Sequence, residues 1–87
     1  MTKIYLYCLF DTADTLIAIY SSLKAVHRDA LKLANRGQSA VYMVYDNHVV
    51  PPALTTLRNV FKGKHDYEIK YASTGACVRI YKTKLKE

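Results

Sequence analysis

Ser21-Ser22-Leu23-Lys24-Ala25-Val26-His27-Arg28-Asp29-Ala30-Leu31-Lys32-Leu33-Ala34-Asn35-Arg36-Gly37 reads as one helix with both ends marked. Ser21 or Ser22 offers a hydroxyl to the free amides of the first turn, and Gly37 suits the left-handed conformation that ends a helix. Leu23, Val26, Ala30, Leu33 and Ala34 recur at helical spacing and make one apolar stripe. Lys24, Arg28, Lys32 and Arg36 fall four apart and form a slanting basic ridge on another side. One face therefore packs on a sheet while the other shows positive charge to water.

The segments on either side supply that sheet. Upstream, Lys3 to Phe10 reads as a strand with Ile4, Leu6, Cys8 and Phe10 on one side and Tyr5, Tyr7 and Leu9 on the other. Asp11-Thr12-Ala13-Asp14 turns the chain into a second strand, Thr15 to Tyr20, and the short link makes an antiparallel hairpin. Downstream, Ala40 to Tyr45 is a third strand. Asp46-Asn47-His48 has turn chemistry, and Val49-Val50 reads as a brief extension. Pro51-Pro52 opens a second helix carrying Leu54, Leu57, Val60 and Phe61, with Gly63 as its stop. His65 to Ala72 and Ala76 to Lys82 are the last two strands. A two-residue turn at Thr74-Gly75 sets Tyr71 opposite Val78 and Ile69 opposite Ile80. A three-residue turn sets them against Cys77 and Arg79, so matched apolar faces favour the first register.

The expected fold is α+β: one domain over residues 1–87, two layers in the order ββαβαββ, an antiparallel or mixed sheet with both helices on one face. Residues 83–87 are expected to fray. On the uncovered face Tyr5, Tyr7, Ile17, Ile19, Tyr42 and Val44 would form an apolar patch larger than a soluble monomer usually exposes, which a homodimer would hide.

Eighty-seven residues, 51% of them hydrophobic, suffice for a thin core; a chain this size buries about 60–65% of its extended surface. Eight tyrosines without a tryptophan suit half-buried strands and contact surfaces alike. The net charge of +6 is concentrated in residues 21–37, 58–64 and 79–87, each net +3. Converging, these would attract phosphate or an acidic protein. Cys8 and Cys77 read as small, buried, reduced groups in a cytoplasmic protein, and neither a secretory leader nor a membrane span is expected.

The residue pattern argues against an enzyme. His27, His48 and His65 have no ligand spacing with each other or with the cysteines, so no metal is expected, and His27 on the helix and His48 in a turn read as solvated. The three isolated glycines form no phosphate loop, and no cofactor is expected. What is left is binding. Lys24, Arg28, Lys32, Arg36, Arg58 and Lys62 on the helices, with Tyr5, Tyr7 and Tyr42 on the sheet, are the candidate binding residues. A protein partner is the leading expectation, and RNA or DNA, held by phosphate contacts and tyrosine stacking, is the alternative.

The tyrosine-rich hairpin running into Ile19-Tyr20-Ser21-Ser22-Leu23-Lys24-Ala25 resembles the opening of many small proteins of tailed bacteriophages. The resemblance covers about the first third of the chain. It implies action in a host cytoplasm, by binding and redirecting a host component, and carries over no functional residue.

Overall fold

The computed structural model describes residues 4–35 and 40–85. In it the organising helix, α1, spans Leu23–Ala34. Ser22 is its N-cap, with the Ala25 amide donating to the Ser22 Oγ at 3.3 Å. Asn35 closes it by donating its own amide to the Leu31 carbonyl at 2.9 Å. The expected stop at Gly37 lies outside the described residues.

Among the described residues six strands form one sheet: β1 (Tyr5–Phe10), β2 (Leu16–Tyr20), β3 (Tyr42–Tyr45), β4 (His48–Val50), β5 (Tyr67–Ser73) and β6 (Ala76–Lys84). Their spatial order is β2-β1-β6-β5-β3-β4, and every neighbouring pair is antiparallel. A second helix, α2, spans Leu54–Phe61, and Gly63 follows it at φ +73°. The α+β class stands. The order of elements is corrected to ββαββαββ, because Asp46 and Asn47 both adopt positive φ and make a two-residue hairpin loop. That loop folds His48–Val50 back on β3, so the expected extension is a strand.

The β5–β6 hairpin takes the register with matched faces, pairing Tyr71 with Val78, Ile69 with Ile80 and Ser73 with Ala76. The tail expected to fray is partly ordered. β6 runs to Lys84, and the Leu85 amide donates to the Ile4 carbonyl at 2.9 Å.

Both helices touch the sheet side that carries Tyr7, Tyr67 and Tyr71. Phe61 of α2 sets its ring 5.7 Å from that of Tyr7 and 6.1 Å from that of Tyr67, and His27 of α1 lies 5.7 Å from Tyr71. The core between the layers is Leu9, Val26, Ala30, Ala34, Met43, Leu57, Phe61, Ile69, Tyr71, Val78 and Ile80, with Tyr7 at its edge. Within α1 the buried line is Val26, Ala30 and Ala34, while Leu23 and Leu33 are half-buried beside it. Small alanines at the contact let the helix approach the sheet closely.

This placement corrects the expected uncovered face. Tyr5 and Tyr7 project under the helices, and the open side of β1 carries Leu6, Cys8 and Phe10. Both sides of β1 are apolar, so strand alternation sorts its residues into two sets without saying which set the helices cover. Cys77 is exposed and Cys8 half-buried, both as free thiols, because both belong to the open side.

Candidate functional site

The helix layer presents the basic side chains. Lys24, Arg28 and Lys32 of α1 are exposed, as are Arg58 and Lys62 at and just past the end of α2. Arg36, the fourth member of the ridge, lies outside the described residues. Arg28 pairs with its neighbour Asp29 at 3.1 Å, a surface contact of small energetic weight. Asp29 also accepts from the Tyr20 hydroxyl at 2.6 Å, which ties α1 to β2. Those two hydrogen bonds, Tyr20 first, hold the Asp29 carboxyl below its ordinary range; burial and the same bond push the Tyr20 phenol up to about 12.

His27 is not solvated. Its Nδ1 lies 2.6 Å from the hydroxyl of the buried Tyr71. Burial lowers the His27 pKa and raises that of Tyr71. The neutral imidazole, hydrogen-bonded to the phenol, is therefore the form favoured in the fold. A histidine whose folded pKa lies below its unfolded value contributes stability above the unfolded pKa, near 6.5, which is lost as pH falls from there through the folded value. Urea melts should accordingly show stability declining from pH 7.5 to pH 5. His27→Phe should flatten that slope while costing about 1–3 kcal/mol at pH 7.5, by leaving the Tyr71 hydroxyl unpaired.

The open side of the sheet has three zones. Its centre is polar and internally paired. Arg79 donates to Glu68 at 2.5 Å and to Asp14, and its guanidinium lies 4.6 Å from the Phe10 ring. Asp66 accepts from Tyr81 at 3.1 Å and from Thr83 at 3.3 Å. On one flank, at the β2 edge, Leu16, Ile17 and Ile19 are 46%, 48% and 56% exposed. On the other, Tyr42 is 47% and Val49 65% exposed. There Ala40, Tyr42, Val44, Val49, Ala72, Ser73 and Thr74 line a shallow groove of about 360 Å³. Register explains the grouping, since Val44 faces Val49 across β3–β4 and Tyr42 faces Ala72 across β3–β5. Lys70, exposed on the same side, pairs with Val44 and supplies a cation beside the groove.

Of the sheet residues expected to bind, Tyr42 is on the open side, and Tyr5 and Tyr7 are not. Val49 was missed because its strand was, although Asp46-Asn47 before His48-Val49-Val50 is a hairpin signal. Elsewhere on the open side the Arg79 guanidinium lies over the Phe10 ring and the Tyr81 hydroxyl donates to Asp66. Among the described residues no three His, Cys, Asp or Glu side chains gather as a metal site, and no helix is long and apolar enough to cross a membrane. Comparison with protein-family models, with curated proteins and with solved structures finds no match for this chain.

Proposed function

We propose that this is a non-enzymatic binding protein that docks an acidic protein partner in the Tyr42–Val49 groove of the open sheet face. The observation that carries the reading is the exposure of two large apolar side chains, Tyr42 and Val49, around a concave surface with Lys70 at its side. An aromatic anchor in an apolar hollow is the usual centre of a protein interface, and a cation such as Lys70 belongs at its polar rim. The net charge of +6 favours an acidic partner and speeds its approach. By the resemblance of the N-terminal third to small tailed-phage proteins, the partner is a host component and the setting a host cytoplasm.

A second reading, RNA or DNA on the helix layer, is favoured by the exposed Lys24, Arg28 and Lys32 along α1. Affinity capture from lysate, with and without nuclease, followed by titration of the captured species, separates the two. Tyr42→Lys should weaken a nuclease-resistant protein complex at least tenfold, about 1.4 kcal/mol or more, with the circular dichroism unchanged. Changing Lys24, Arg28, Lys32 and Arg36 to Glu moves the net charge from +6 to −2. That variant should slow association while leaving the dissociation rate nearly intact. Binding that vanishes with nuclease, falls by powers of ten between about 50 and 200 mM salt and ignores Tyr42→Lys would establish the nucleic-acid reading instead.

A further inference from the structure

We infer that β2 is the seam of a homodimer, in which two copies pair β2 antiparallel to β2 and the six-stranded sheet continues across the two-fold axis. The inference is independent of the Tyr42 groove, which lies at the other end of the sheet.

The sheet has two edges, β2 and β4, and they are built differently. β4 is three residues long and runs directly into Pro51-Pro52, two devices that discourage further pairing. β2 is Leu16-Ile17-Ala18-Ile19-Tyr20, with no proline, glycine or charge. An edge strand offers a row of unpaired backbone donors and acceptors, and the group that satisfies such a row is another strand. A bulge opposite Phe10 disturbs the start of β2, but Ala18, Ile19 and Tyr20 pair regularly with Leu9, Cys8 and Tyr7, so that the later half is an even ladder.

Charge identifies the occupant as a second copy. The turn before β2 carries Asp11 beside Asp14, which is paired with Arg79. The helix after it begins with Lys24 beside Arg28, which is paired with Asp29, so Asp11 and Lys24 carry the charge complementarity. Antiparallel pairing about a two-fold axis sets the acidic turn of each copy toward the basic helix start of the other. Parallel pairing would set like charges side by side. A chain of net charge +6 can associate with itself only where its cations avoid one another, and β2 is the uncharged strip between a negative and a positive end. Stacking two copies by their open faces is a poorer solution, because it would bury Glu68, Lys70 and Arg79 at the centre of the interface, where charge is normally depleted. In the edge-paired arrangement the exposed Ile17 and Ile19 of both copies merge into one apolar strip.

Sedimentation equilibrium on the unmutated protein, from micromolar to about 200 μM, tests this. A monomer–dimer equilibrium is expected, with the dissociation constant rising at least tenfold in Ile19→Lys and unchanged in Tyr42→Lys. Exchange of the β2 amides that point away from β1 should slow as the concentration of the unmutated protein rises, a measurement that decides the matter if Ile19→Lys fails to fold. A monomer at every concentration, exchange at β2 that ignores concentration, or a dimer that Tyr42→Lys breaks and Ile19→Lys spares would overturn the inference.

Discussion

Phe61→Ala should cost about 3–5 kcal/mol, the range for deleting a buried aromatic ring, out of about 4–13 kcal/mol available to a domain of this length. Phe61 is 1% exposed and fills the space where α2, β1 and β5 converge, its ring facing those of Tyr7 and Tyr67. Its backbone carbonyl is engaged as well, accepting from the Lys64 amide at 3.0 Å and from the Lys82 Nζ at 2.7 Å. Alanine keeps those backbone bonds and removes only the ring, so the loss reports packing and the cavity left behind. Urea melts of the two proteins measure it. A cost near 1 kcal/mol would mean that α2 collapses into the vacated space and that its docking is loose.

Lys82→Glu should be equally damaging at pH 7, and its damage should be reversible by acid. Lys82 is 6% exposed, with its ammonium on the Phe61 carbonyl and 4.3 Å from the centre of the Tyr5 ring. Burial lowers its pKa, as expected for a cation with no carboxylate partner among the described residues. A carboxylate in its place would meet a carbonyl oxygen and ring faces, all of which repel negative charge, at a cost of several kcal/mol. That carboxyl would titrate higher in the folded than in the unfolded chain. Its neutral form therefore supports the fold below an unfolded pKa of about 4.3, and stability is lost as pH rises through the folded value. The gap between Lys82→Glu and the unmutated protein in urea melts should thus be smaller at pH 4.5 than at pH 7. Lys82→Met keeps the aliphatic stem, removes the buried charge and leaves the Phe61 carbonyl its bond from Lys64, so it should fall within about 1.5 kcal/mol of the unmutated protein.

Lys82 also marks a limit of reading by pattern. In sequence it is one more basic residue of a charged C-terminal segment, yet its register opposite Tyr7 and Tyr67 puts it on the covered face of the sheet. His27 is a similar case. Its position next to Val26 gives no hint of a partner, because Tyr71, forty-four residues away, becomes its neighbour only when α1 lies across β5. The groove depended on β4, whose three residues are too few for alternation to register.

The sequence by itself determined the local elements and the class. Ser22 and the Val26–Ala30–Ala34 line specified α1, Gly63 ended α2, and the facing apolar sets of β5 and β6 chose their register, because each of these is set by neighbours within a few residues or by a short turn. Which side of the sheet is covered was decided only by tertiary structure. β1 is apolar on both sides, so burying Tyr5, Tyr7 and Leu9 or burying Leu6, Cys8 and Phe10 looks equally favourable from the strand alone. The choice falls to the partners brought up from the far end of the chain. β6 pairs with β1 and sets Ile80 beside Leu9 and Lys82 beside Tyr7, while Arg79, facing the other way, finds Glu68 and Asp14 in the open. An arginine holding two carboxylates is far cheaper to leave in water than to bury. That difference in solvation puts the helices over Tyr7 and leaves Tyr42, Val49 and the β2 edge free to meet other molecules.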